Sequence, residues 1–251
     1  MDTAAPQETN ASPEQLSARA RLQQVFSETP IPSGDLMSNL GLFMRSSLLA
    51  KFLVINDLYR RILSVPGAIV EFGVWWGQNL VLFENLRAIY EPFNKTRKIV
   101  GFDTFEGYRG FSERDGHSPI FQEETYSVSK KYASYLKDLL ALHEANNVLG
   151  HVSGGHELVT GDVTQTAAEF LQRNPGLTVA LAYFDMGLYG PTYAALQAIK
   201  PRLVPGSVIL LDEFSWAEAP GEAQAFRDVF ANGYRIEKCA LTPMRAIVTI
   251  T

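Results

Sequence analysis

Acidic residues recur along this chain at the ends of short apolar runs. Ala68 to Phe72 carries Glu71 into a turn, and Ile99 to Phe102 stops at Asp103. His156 to Val159 leads to Gly161-Asp162, Leu177 to Phe184 stops at Asp185, and Ser207 to Leu211 stops at Asp212-Glu213. Carboxylates gathered at one edge can hold cations or hydroxyls, or take up a proton.

The first of these turns, Glu71-Phe72-Gly73-Val74-Trp75-Trp76-Gly77, narrows the choice of ligand. A dinucleotide site needs Gly-x-Gly so that a pyrophosphate can approach the backbone. Here Trp75 stands at the second glycine position and would fill the space the phosphates need. A turn with Gly73 and Gly77 beside Glu71 suits S-adenosylmethionine, which has no phosphate and carries a sulfonium and an α-ammonium group. Glu71 supplies the charge an ammonium requires. Asp103 follows Gly73 by 30 residues, at the end of the next strand, where an acid can accept both ribose hydroxyls. Asp162 could receive the adenine amino group, although a cap on the following helix would need the same residue.

These residues require a particular set of elements. Continuous apolar runs alternating with helical stretches mean buried parallel strands covered on both faces, an α/β architecture of the Rossmann-like kind. Such sheets bind ligands outside the carboxyl ends of their strands. Helical spacing is expected over Gln78–Tyr90, Val128–His143, Thr164–Arg173, Thr192–Leu203 and Ala223–Phe230. Two closing strands are expected near Tyr234–Lys238 and Ala246–Ile250. Before Pro66 the chain reads as a helical extension. Ser12-Pro13-Glu14-Gln15 opens one helix, and Leu48, Leu49, Phe52, Leu53, Ile55, Tyr59, Ile62 and Leu63 recur at helical spacing in another. Residues 1 to 11 are expected to fray. The domain is expected to span 67–251, and the polar segment Glu106 to Glu124 reads as a loop able to close as a lid.

Composition excludes several classes. Of 251 residues, 46% are apolar and 20% charged, which rules out a disordered chain. The net charge of -5, with no basic run, argues against a phosphate-tracking nucleic-acid binder. No segment approaches the roughly 20 apolar residues of a membrane span, and no signal peptide is expected. The single cysteine, Cys239, excludes an internal disulfide and fits a reducing, cytoplasmic setting.

Four segments together carry a family resemblance. Gly67-Ala68-Ile69-Val70-Glu71-Phe72-Gly73-Val74-Trp75-Trp76-Gly77 and Asp103-Thr104-Phe105-Glu106-Gly107 resemble the signature turns of the macrocin O-methyltransferase-like family. Tyr183-Phe184-Asp185-Met186-Gly187-Leu188-Tyr189 is similar to its metal-site strand, and Pro205 to Glu213 to the strand after it. The resemblance implies a class I methyltransferase using S-adenosylmethionine on a deoxysugar hydroxyl in antibiotic biosynthesis, with the 3-hydroxyl of TDP-rhamnose as the finer expectation. It implies cofactor contacts from Glu71, Phe72, Gly73, Trp75, Gly77, Asp103, Thr104, Phe105, Gly161, Asp162, Val163 and Asp185. One position departs from the pattern: Gly187 stands where the family carries an aspartate.

A sugar hydroxyl is a poor nucleophile, so its proton must be weakened or removed. Asp185, Asp212 and Glu213 offer only hard oxygen ligands, which favours Mg²⁺ over zinc. His117 in the loop, or Asp185 itself where no metal occupies it, is the candidate base. Arg45, Arg109 and Arg114 are candidates for a nucleotide diphosphate, and Tyr189 for a substrate contact. His143, His151 and His156 lie away from every motif and read as structural or surface residues. Subunit pairing is expected, because the helices before Pro66 carry apolar faces the domain does not fully cover. Two rivals remain: a nicotinamide-dependent sugar-modifying enzyme, and a protein that binds S-adenosylmethionine without turnover.

Overall fold

The computed structural model describes residues 11–116, 121–147 and 155–251. The expected frayed N-terminus, Ala11 excepted, lies outside them, as do His117 and His151.

Seven strands form one sheet: β1 (Ala68–Phe72), β2 (Ile99–Asp103), β3 (Glu157–Thr160), β4 (Val179–Phe184), β5 (Leu203–Leu211), β6 (Tyr234–Lys238) and β7 (Ala246–Ile250). Their spatial order is β3-β2-β1-β4-β5-β7-β6. The first five are parallel, and β7 runs antiparallel to both β5 and β6. Strands β1, β4 and the second half of β5 are buried throughout, as continuous apolar runs require.

Helices cover both faces. In chain order they are α1 (Pro13–Ser27), α2 (Ser33–Ser38), α3 (Ser46–Arg61), α4 (Gln78–Tyr90), α5 (Tyr132–Asn146), α6 (Val163–Arg173), α7 (Tyr189–Ile199) and α8 (Gly221–Val229). One core packs α6, α7 and α8 on the sheet through Phe170, Leu196 and Phe226. The other packs α3, α4 and α5 through Leu58, Phe83 and Leu136.

Ser12 caps α1 as its sequence demands. Its hydroxyl accepts from Gln15 N at 3.3 Å, and the Gln15 side chain accepts from Ser12 N at 2.9 Å. Helix α2 was not expected, because Pro32-Ser33-Gly34 reads as a breaker. Helix α7 begins at Tyr189 rather than Thr192, so the residues after β4 run directly into its first turn.

The C-terminal end of α3 is held firmly. Arg97 is 2% exposed and donates to the carbonyls of Ile62, Val65 and Gly67 and to the Glu91 carboxylate. Glu91 also accepts the Tyr59 hydroxyl at 2.7 Å. A buried guanidinium is tolerated only when its donors are matched in this way. His156 is structural as well. Its Nδ1 accepts from Ile99 N at 3.2 Å, so the proton sits on Nε2 and is donated to Glu84 at 2.5 Å.

Candidate active site

The strand order reverses between β1 and β4, where Phe72 lies level with Phe184. A parallel sheet opens a crevice at such a switch point, and a cleft of about 850 Å³ lies there. The two strand ends touch closely. A Cβ on Gly73 would lie 2.0 Å from the Asp185 carbonyl oxygen, and Gly73 has φ +90°. Only glycine fits this position.

Glu71 is 1% exposed and lines the cleft. Its Oε1 accepts from Asn79 Nδ2 at 2.7 Å, whereas its Oε2 has no partner among the described residues. Asn79 Oδ1 is likewise buried and unpartnered. Burial pushes the Glu71 carboxyl well above the ordinary range, against the opposing pull of Asn79 and Lys51. Two orphaned acceptors, one a desolvated carboxylate, call for a cationic hydrogen-bond donor.

Asp103 organises the turn itself. Its Oδ2 accepts from Val74 N at 2.6 Å and Trp75 N at 2.7 Å, and its Oδ1 accepts from Phe105 N at 2.6 Å. A carboxylate offers about four acceptor sites, so these amides leave room for one hydroxyl rather than two. Trp75 is held at φ +49°, lines the cleft and meets Tyr126 edge to face. Asp162 caps α6 by accepting from Thr164 N at 2.9 Å and also lines the cleft, so both uses coexist.

Beside this pocket lies an acid cluster. Asp185, Asp212 and Glu213 each offer an oxygen, all within 4.8 Å of one another. Desolvation and the neighbouring Asp212 raise the Asp185 carboxyl to about 7. Burial, with Glu222, Asp212 and Asp185 nearby, pushes Glu213 well above its ordinary value, and its Oε2 is unpartnered. Asp212 is already engaged: it accepts the Tyr183 hydroxyl at 2.8 Å and pairs with Arg245 Nε at 2.5 Å. Glu222, from α8, ties the two strand ends together. Its Oε1 accepts from Met186 N at 3.0 Å and Gly187 N at 3.1 Å, and its Oε2 from Glu213 N at 3.2 Å.

At Gly187, where the family carries an aspartate, this structure leaves little room for a side chain. The residue has φ +65°, and a Cβ there would lie 2.4 Å from Phe121 Cε1. The loop segment expected as a lid thus occupies the space an aspartate would use. Phe121 packs with Tyr108, Trp216 and Leu188 in a small cluster of its own. Asp115 pins the same segment by accepting from Tyr189 N at 2.5 Å.

The cleft therefore gathers Glu71, Gly73, Trp75, Asp103, Thr104, Gly161, Asp162, Val163, Asp185, Asp212, Glu213 and Arg109. Other expected contacts stand elsewhere. Phe72 belongs to the core beneath the cleft, and Phe105 is buried against the opposite core cluster. Gly77 caps α4 against Leu136. Arg114 pairs with Asp228 at 2.5 Å and stacks on the Tyr189 ring, so both residues serve the loop anchor outside the cleft lining. Arg45 is exposed at the start of α3. Sequence reading missed Lys51, Asn79, Glu222 and Arg245. Lys51 alone left a usable signal, a charge on a buried helical stripe.

A seven-stranded sheet in this order, with an antiparallel β7 and a cleft beyond β1 and β4, is the class I methyltransferase architecture. The chain belongs to the family described as a methyltransferase domain, whose match spans residues 70–214. The crystal structure of the calicheamicin methyltransferase CalS11 is 38% identical, with TM-score 0.91 and 99% of each chain covered. The apo structure of CalS11, described as a TDP-rhamnose 3'-O-methyltransferase of calicheamicin biosynthesis, superposes with TM-score 0.83 at 38% identity over 96% of each chain. A tetracenomycin-C rhamnosyl 4'-O-methyltransferase from Streptomyces olivaceus is 28% identical over 162 residues, 60% of this chain. The chain spans about half, 54%, of the length of that curated relative. The resemblance read from the four motifs is borne out.

Proposed function

We propose that this enzyme transfers the methyl group of S-adenosylmethionine to a hydroxyl of a nucleotide-activated deoxysugar, the 3-hydroxyl of TDP-rhamnose, in antibiotic biosynthesis. The observation that carries the reading is the pair of unpartnered acceptors on Glu71 and Asn79, set in one cleft with the acid cluster of Asp185, Asp212 and Glu213. The similarity to CalS11 supports the choice of acceptor.

The donor fits the residues present. Glu71 Oε2 and Asn79 Oδ1 suit its α-ammonium, the glycine at 73 keeps the turn open, and Asp103 has one acceptor site left for its ribose. Mg²⁺ fits as well, because the three acids are hard oxygen donors and Glu213 Oε2 lacks a partner. Asp185, Asp212 and Glu213 would hold it. Once bound, such an ion lowers the pKa of a coordinated hydroxyl and fixes its orientation. Arg245 offsets part of the negative charge through Asp212.

The chain's own work is alignment and proton handling. Methyl transfer is an in-line displacement, in which a hydroxyl oxygen attacks the methyl carbon as the sulfonium leaves as a neutral thioether. Holding both reactants in line contributes about 7–11 kcal/mol. Glu222 fixes the β4 and β5 ends relative to each other, and so the acids they carry. Where no ion occupies it, Asp185, with its carboxyl raised to about 7, is able to accept the hydroxyl proton near neutral pH. Trp75, Tyr108 and Tyr126 wall the cleft with aromatic surface that limits water.

We also read the protein as a cytoplasmic homo-oligomer. Helix α1 buries none of its residues, and Met37 and Leu42 are 73% and 65% exposed. No helix among the described residues is long and apolar enough to cross a membrane. Sedimentation of the full chain tests the assembly, and a monomer at micromolar concentration would refute it. Differential scanning with S-adenosylhomocysteine or NAD tests the donor. Stabilisation by S-adenosylhomocysteine alone is expected, and stabilisation by NAD alone would overturn the reading. Turnover of TDP-rhamnose that survives EDTA undiminished would remove the metal while leaving methyl transfer intact.

A further inference from the structure

The amino-acid end of the proposed donor carries two charges, an α-ammonium and an α-carboxylate. Glu71 accounts for the first. The second would lie among acids unless a cation met it, because Glu71, Asp103 and Asp185 all line the same cleft.

Among the described residues that line the cleft, Lys51 and Arg109 are the only lysine and arginine. Arg109 is on the outer loop, where it donates to Glu124 at 3.2 Å. Lys51 is different. It comes from α3, outside the matched segment 70–214, and it is half-buried. Its helix places it three, four and seven residues before the buried Val54, Ile55 and Leu58, hence on the side of α3 that faces the domain. Its ammonium makes no ion pair within 4.0 Å among the described residues. Its charge nevertheless bears on Glu71 and Asp185, which places it beside the β1 and β4 ends. Arg97, Glu91 and Tyr59 anchor the far end of the same helix, so its position is fixed by the fold.

Resting on the donor reading above, we propose that Lys51 binds the α-carboxylate of the S-adenosylmethionine amino-acid moiety. Lys51 and Glu71 then form a zwitterion clamp, each meeting the opposite charge of the ligand. The helical extension is thereby part of the cofactor site, supplying a group the sheet-end turns do not contain. Losing Lys51 removes one charge-assisted contact and leaves adenosine recognition untouched.

The test is calorimetric and needs no turnover. S-adenosylhomocysteine, its decarboxylated analogue and 5'-methylthioadenosine are titrated into the full-length protein and into the Lys51→Met and Lys51→Arg variants. The wild type is expected to bind the decarboxylated analogue about 10- to 100-fold more weakly than S-adenosylhomocysteine. Lys51→Met is expected to erase that difference while binding methylthioadenosine as the wild type does, and Lys51→Arg to restore most of it. Equal affinity of the wild type for both amino-acid ligands would overturn the proposal, whether or not the variants fold. So would a Lys51→Met protein that loses affinity for TDP and keeps it for S-adenosylhomocysteine. A wild type that binds none of the adenosine ligands would refute the donor reading itself.

Discussion

Replacing Glu71 with Gln isolates the charge on which cofactor recognition turns. Asn79 can rotate its amide to meet either side chain, so the fold should survive. In the wild type, Glu71 Oε2 is a buried acceptor with no partner among the described residues. An α-ammonium there gains a hydrogen bond to a charged group, about 1.5–3 kcal/mol. At about 1.4 kcal/mol per tenfold, Glu71→Gln should weaken S-adenosylhomocysteine binding by about 10- to 150-fold in calorimetry. The pH dependence sharpens the test. Desolvation raises the Glu71 carboxyl in the free protein, so binding the ammonium expels a proton at any pH below that raised value. Wild-type affinity should therefore fall toward tenfold per pH unit as the solution is acidified, and Glu71→Gln should lack that component. Stability runs the other way. A raised folded pKa stabilises the free protein most at low pH, and that contribution is lost as pH rises above the unfolded value of about 4.3. The melting temperature of the free variant should thus decline less with pH than that of the wild type. Unchanged affinity, or an identical pH slope in both proteins, would refute the role given to Glu71.

Three further substitutions probe the rest of the site. Asp103→Ala frees the amides of Val74, Trp75 and Phe105 at once, so urea unfolding should show a loss of about 1–3 kcal/mol. The same variant should bind S-adenosylhomocysteine more weakly, and equal affinity would contradict the ribose role. Asp212→Ala leaves Arg245 and the Tyr183 hydroxyl without their carboxylate and removes one proposed metal ligand. It should lower turnover by about 10-fold or more while S-adenosylhomocysteine affinity changes little. Gly187→Asp restores the family residue but drives a Cβ into Phe121 at a positive φ. Left-handed strain of about 1–2 kcal/mol and overpacking of about 1–3 kcal/mol should lower the melting temperature by several degrees.

Much of the site was legible because it sits at strand ends. Glu71, Asp103, Asp185 and Asp212 each follow a short apolar run, and a parallel sheet brings such ends to one edge whatever the loops do. Groups delivered by helices were harder to see, since their role depends on which face packs. The apolar spacing in α3 drew in Leu49 and Leu53, yet each is 49% exposed. The buried stripe is Val54, Ile55, Leu58 and Tyr59, and Lys51 continues it toward the cleft. Glu222 and Arg245 reach the acids from α8 and from the turn before β7, a proximity that only the tertiary fold creates. In sequence Gly187 reads as a missing ligand; only the fold brings the ring of Phe121, far away along the chain, against that position.

Methyl transfer itself offers the most direct trial. Isotope-labelled S-adenosylmethionine is incubated with the full-length protein and TDP-rhamnose, and NMR locates the labelled carbon in the product. The label is expected on the oxygen at sugar carbon 3. An unlabelled sugar nucleotide after prolonged incubation with Mg²⁺, from protein shown to bind S-adenosylhomocysteine, would contradict the proposed activity.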